Sequence, residues 1–204
     1  MLTATYTLVA LAVEQASIRV SLQAFQQYLE SNFMHQSALT AGQVDYACAS
    51  LERLYGTCHW RKIEMFLIPA IRGATDTADP LLRQLDALNL AAADVVGAVT
   101  GPLAGAALES ESQVKRFCGA IDAFCSALLT RIDIEEKELF PVARSVISGE
   151  AWFAIANDML VHDARRQDSR AGAASKPRCR TAANDVAEVT IEPPPKRLRV
   201  GGVH

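Results

Sequence analysis

The stretch Val114-Lys-Arg-Phe117-Cys-Gly-Ala-Ile121-Asp-Ala-Phe124-Cys-Ser-Ala-Leu128-Leu-Thr-Arg131-Ile-Asp-Ile-Glu135 decides the fold. Val114, Phe117, Ile121, Phe124 and Leu128 alternate by threes and fours, the spacing that turns one face of an α-helix toward a core. Arg131 and Glu135 continue the same register, so two charged residues stand where apolar ones belong. Upstream, Leu82, Leu85, Asn89, Ala92, Val96 and Val99 repeat the spacing with one polar member, Asn89. The first segment does the same through Leu8, Leu11, Gln15, Ile18, Leu22, Phe25 and Leu29, and its polar member is Gln15. A further helix is expected from about Ala41 to Arg72, with Gly73 as its stop.

Asp79-Pro80 is a helix-start signal, and Gly101-Pro102 with Gly105 marks a turn. A short last helix is expected from Ser148, with Trp152, Phe153 and Ile155 packing back. Strand signals are weak: there is no Asn-Gly hairpin and no sustained period-two alternation before residue 161. Four long helices joined by short turns predict an all-α, antiparallel up-down-up-down four-helix bundle with a short fifth helix. The bundle is assigned to residues 1–160. Residues 161–204 contain no aromatic residue and half of the prolines, and they read as a disordered basic tail.

Charge is spread unevenly. Residues 1–160 carry 11 Lys/Arg against 18 Asp/Glu, and residues 161–204 carry 9 against 5. An acidic body argues against nucleic-acid binding by the bundle, because phosphate contacts need clustered cations. In the tail, Lys196-Arg197-Leu198-Arg199 reads either as a loose nuclear-import pattern or as a solvated end. The apolar N-terminus has no early Lys or Arg and is interrupted by Glu14, so neither an export signal nor a membrane anchor is expected. Cys48, Cys58, Cys118, Cys125 and Cys179 are odd in number and lack zinc-site spacing, which suggests reduced thiols in a cytoplasmic protein.

An internal repeat links two helices. Glu64-Met-Phe-Leu-Ile-Pro69-Ala-Ile-Arg72 aligns with Glu136-Lys-Glu-Leu-Phe-Pro141-Val-Ala-Arg144 at an offset of 72 residues, which also sets His59 opposite Arg131. A proline late in both helices costs a backbone hydrogen bond and bends the helix. The midpoint of Gln15 and His59 is residue 37, and that of Asn89 and Arg131 is residue 110; both fall in expected turns. Gln15, His59, Asn89, Arg131 and Glu135, with Glu64 close by, are therefore expected to form one interior polar layer. Burying such a layer costs several kcal/mol, roughly, unless its groups pair with each other, with water or with metal.

Arg131-Ile-Asp-Ile-Glu135-Glu136-Lys-Glu-Leu-Phe-Pro141-Val-Ala-Arg144, followed by Gly149-Glu150-Ala-Trp152, resembles the fourth helix and closing segment of hemerythrin-like (HHE cation-binding) domains. His59-Trp-Arg-Lys-Ile-Glu64-Met-Phe-Leu-Ile-Pro69 is a weaker match to their second helix. The resemblance spans about residues 6–160 and implies a bundle that holds two irons through histidines and carboxylates. Carried over, it makes His59, Glu64 and Glu135 the candidate metal ligands. Gln15 and Asn89 stand where the first and third helices of the family offer histidines, and Arg131 replaces the fourth-helix histidine.

A guanidinium stays charged and cannot bind a cation as imidazole does. Arg131 is therefore expected to pair with Glu64 or Glu135 in place of metal. His59 reads either as a ligand or as a hydrogen-bonded interior histidine, and of the adjacent Glu135 and Glu136 only one can point fully inward. Two functions are compatible with these residues: a metal-free regulatory or protein-interaction bundle with an incomplete di-iron site and an unidentified protein partner, or an iron-dependent binder or sensor of oxygen, nitric oxide or oxidative stress. Catalysis is not expected, since the sequence shows no nucleophile–base pairing, no phosphate loop and no full ligand set.

Overall fold

A computed structural model describes the backbone of residues 2–174 and the side chains of residues 2–168. The chain divides at Arg166, and the apolar core lies within the unit Met1–Arg166. The described residues form α1 (Leu2–Asn32), α2 (Ala41–His59), α3 (Ile68–Ala74), α4 (Asp79–Thr100), α5 (Glu111–Ile134), α6 (Phe140–Val146) and α7 (Gly149–Ala174). Two single-turn π-helical segments, Ile63–Leu67 and Glu135–Leu139, lead into α3 and α6. No strand occurs among the described residues; a single bridge joins Leu39 and Leu108.

The seams read from the sequence face inward. Leu8, Leu11, Gln15, Ile18, Leu22, Phe25 and Leu29 of α1 are buried, as are Val114 through Leu128 of the α5 seam together with Arg131. Helix α1 packs on α5 and α2, and α4 packs on α5 and α2. Reciprocal backbone hydrogen bonds of 2.8 and 2.9 Å between Leu39 and Leu108 tie the α1–α2 and α4–α5 turns together. Each turn then ends in a capping box, Thr40 with Gln43 and Ser110 with Gln113, in which the hydroxyl and the glutamine satisfy each other's backbone N–H groups. Gly105, with φ 70°, occupies the left-handed region in the second turn, and its N–H donates to Asp45 Oδ1 at 2.8 Å.

Three expectations need correction. The helix expected over 41–72 is broken after His59. Trp60 leaves the helical register, and the Lys62 N–H, which no longer has a partner in the helix, donates to Glu14 Oε2 of α1 at 3.1 Å. The π segments start at Ile63 and Glu135, the same 72 residues apart as the two sequence repeats. Each lies immediately ahead of a proline, Pro69 or Pro141, within backbone that stays in the right-handed helical region, so the wider π turn is where the ladder accommodates the N–H that proline lacks.

The last helix is not short either: α7 runs from Gly149 to Ala174, past the boundary set at residue 160. Trp152, Ile155 and Met159 anchor its first half, and the Ala- and Arg-containing segment that follows favours helix without needing burial. The rest of the tail, with Cys179 and the Lys196–Arg199 motif, lies outside the described residues. Finally, Asp79 sits within the first turn of α4 and not at its cap.

Two apolar clusters make up the core. One, around Ile18, Leu22, Leu51, Ile121 and Phe124, lies toward the Leu39–Leu108 bridge. The other, around Leu8, Leu11, Leu67, Leu85, Leu139 and Trp152, lies toward the opposite end. On α1, α4 and α5 the polar seam residues separate them: Leu11 and Ile18 flank Gln15, Leu85 and Ala92 flank Asn89, and Leu128 and Leu139 bracket Arg131 and Glu135.

Candidate functional site: a buried guanidinium–carboxylate layer

Glu135 opens the π segment after α5 and is 0 % exposed. Burying a lone carboxylate is costly, yet this one is fully engaged. Its Oε2 accepts from Gln15 Nε2 at 2.6 Å and from Arg61 Nη1 at 2.7 Å. Its Oε1 accepts from Arg61 Nη2 at 2.7 Å and from Arg131 Nε at 2.8 Å. Arg61 thus meets Glu135 fork to fork, the strong bidentate form of a charged hydrogen bond. Glu64, on the first π segment, holds both cations from the other side: Arg61 Nη2 donates to its Oε1 at 3.2 Å, and Arg131 Nη2 is in ion-pair contact with the same oxygen. Asn89 Nδ2 reaches that oxygen at 3.5 Å.

Two guanidiniums face two carboxylates, so the formal charges of the layer balance and each buried group has a partner of opposite sign. Burial works against the Arg61 charge, but the adjacent Glu135 carboxylate and its hydrogen bonds, with Glu64 behind them, raise its pKa above that of free arginine. Arg61 Nε also donates to the Cys58 carbonyl at 3.0 Å, which fixes the plane of the fork. Two buried polar atoms have no hydrogen-bond partner here, Gln15 Oε1 and Arg131 Nη1, and the N–H groups of Arg131 Nη2 are not aimed along a hydrogen bond despite the ion-pair contact. Outside the layer, Arg19 bridges Asp133 at 2.7 Å and Glu136 at 2.9 Å. The hydrogen bond from Arg19 holds the Asp133 carboxyl below its ordinary range. Glu136 thus takes the outward place beside the inward Glu135.

Of the residues singled out from the sequence, the structure brings together Gln15, Glu64, Asn89, Arg131 and Glu135. Arg131 pairs with both of its candidate partners. His59 does not join them: it is exposed at the end of α2, stacked on Tyr55 with ring centroids 6.0 Å apart and edge-on to Trp60 at 5.2 Å. Arg61, 2 % exposed, holds the interior position instead. A signal for it existed: extending the α2 seam Val44, Ala47, Leu51, Leu54 and Cys58 by three residues lands on Arg61, whereas His59 is rotated about 100° from Cys58.

The donor set does not fit a pair of irons. No imidazole enters the layer, both Glu135 oxygens already receive charged donors, and a metal cation there would sit against two guanidiniums. Among the described residues no three His, Cys, Asp or Glu side chains converge as a metal site would require. What the arrangement can do chemically is lock helix register, since the layer forms only when α1, α4, α5 and the two π segments meet at one level. The fold and this layer together define an all-helical protein with a self-neutralising ionic core. No known protein family, curated protein or solved structure matches the chain.

Proposed function

We propose that this chain is a metal-free relative of the hemerythrin-like bundle, acting as a non-enzymatic regulatory or protein-interaction module in which Arg61 and Arg131 take over the charge of the lost metals. The observation that carries the reading is the pair of guanidiniums neutralising Glu64 and Glu135 at the level where the helix seams turn polar. An antiparallel up-down-up-down course of α1, α2, α4 and α5 is part of the proposal. It is supported by the descending pairs Arg19–Asp133 and Gln26–Asp122 between α1 and α5, and by the bridge between the two hairpin turns. The repeated π segments and capping boxes support descent from a duplicated helical hairpin.

Cys48, Cys58, Cys118 and Cys125 are free and buried, which suits a reducing cytoplasmic setting. The test is metal analysis of protein purified without chelator, with an absorption spectrum after iron loading. The reading expects no stoichiometric iron and no oxo-to-metal band; two irons per chain with such a band would overturn it.

A further inference from the structure

Helix α1 is apolar on two opposite faces. The inner seam is used by the core, but Leu2, Tyr6, Val9, Val13 and Val20 lie on the other side, 57–89 % exposed. Their spacing, with Ala16 filling the remaining step, alternates four and three residues, a heptad stripe running along the first five turns or so. A helix apolar all round is normally covered all round. By length and composition α1 would also pass as a membrane span, yet its inner face is committed to the bundle through Gln15 and Arg19.

We propose that this stripe is a self-association surface, on which α1 of a second copy pairs through the same residues. Three observations favour a second copy over other occupants. First, a 3.5-residue period is the pattern that keeps two helices in register, whereas lipid contact imposes no such period. Second, residues 2–18 contain no Lys or Arg, and the Arg19 that follows is engaged by Asp133 and Glu136, so α1 offers no unpaired cation of the kind by which interfacial helices hold anionic lipid headgroups. Third, the flanking positions Ala10, Ala12 and Ser17 are small and uncharged, which lets the backbone of an identical face approach closely along them.

Trp60, 66 % exposed, extends the patch. It faces Val13 across a shallow groove whose rim includes Glu14, Lys62 and Arg166. The stripe exposes on the order of 500 Å² of apolar surface, so a symmetric pairing buries on the order of 1,000 Å², the floor for a specific interface. The dimer does not depend on the buried ionic layer, and its failure would leave the metal-free reading untouched.

Light scattering on the eluting full-length chain at micromolar and higher concentrations tests this directly, beside the variants V13E and Y6E. The wild type is expected at twice the chain mass, and each variant at the single mass with an unchanged helical spectrum. A wild type monomeric at all concentrations overturns the proposal, and so does a dimer that survives a folded V13E or Y6E. A monomer that floats with anionic phospholipid vesicles overturns it in favour of a membrane.

Discussion

Glu135→Gln isolates the charge at the centre of the layer. The substitution keeps the shape but turns one acceptor oxygen into a donor facing Gln15 or a guanidinium, and it leaves Glu64 alone to neutralise Arg61 and Arg131. Four hydrogen bonds of 2.6–2.8 Å converge on the wild-type carboxylate. Each bond to a charged group is worth about 1.5–3 kcal/mol, but they do not add, because the donors share the same two oxygens. Removing one partner of a buried ion pair costs ~3–5 kcal/mol, and that is the loss expected here. In a domain of this size each kcal/mol moves the melting temperature by about 2–4 °C, so the transition falls by roughly 6–20 °C. Urea unfolding followed by far-ultraviolet circular dichroism measures the loss at constant temperature. The double variant Glu135→Gln with Arg131→Met restores neutrality, with Arg61 and Glu64 as the remaining pair, and should cost less than the two singles together by ~1–3 kcal/mol. A Glu135→Gln protein within about 0.5 kcal/mol of wild type, the size of an ordinary surface change, would refute the reasoning. Strict additivity in the double variant would do the same.

Arg61→Met should destabilise by several kcal/mol, roughly, whereas His59→Ala on the exposed end of α2 should stay within about 0.5 kcal/mol; equal effects in urea unfolding would contradict the assignment of Arg61 to the interior. Asp133 should titrate below the ordinary carboxylate range, because its hydrogen bond to Arg19 favours the charged form. Its contribution is therefore present above the unfolded pKa and lost as pH falls through the folded one, and Arg19→Gln should move the NMR midpoint back up; an unmoved midpoint would exclude the link. Burial pushes the Cys58 thiol up to about 11 and Cys125 to about 12. Both should resist alkylation in the native protein at mildly alkaline pH and react once unfolded, as peptide mass mapping would reveal; rapid native labelling of either would count against the packed core.

The helices are legible in the sequence because each seam is long and regular, and a three–four spacing over five or six turns has no good strand alternative. The level of the polar layer is legible for a related reason: residues level with each other in a hairpin lie equally far from its turn, so Gln15, Asn89 and Arg131 can be placed by counting. His59 is misplaced because counting from the turn fixes its level but not its face: the α2 seam runs through Cys58, and His59, the last residue before the break at Trp60, is turned about 100° away from it. Arg61, between Trp60 and Lys62, looks like solvated surface until its neighbours are known. The prolines announce a disturbance late in each repeat, but not that it takes the form of a π turn ahead of each proline. The capping boxes at Thr40 and Ser110 are readable as Ser/Thr-x-x-Gln. The outer stripe of α1 is hidden by the inner one, since apolar residues on both faces read together as a merely hydrophobic segment.

The central claim, that guanidiniums close the site where hemerythrin-like bundles hold metal, is tested most directly by a crystal structure of protein incubated with ferrous iron, with diffraction recorded at the iron edge. The account predicts no anomalous peak between Glu64 and Glu135, with Arg61 forked onto Glu135 and Arg131 Nε at 2.8 Å from Glu135 Oε1. Iron peaks bridging the two carboxylates, with Arg61 and Arg131 swung away, would contradict it.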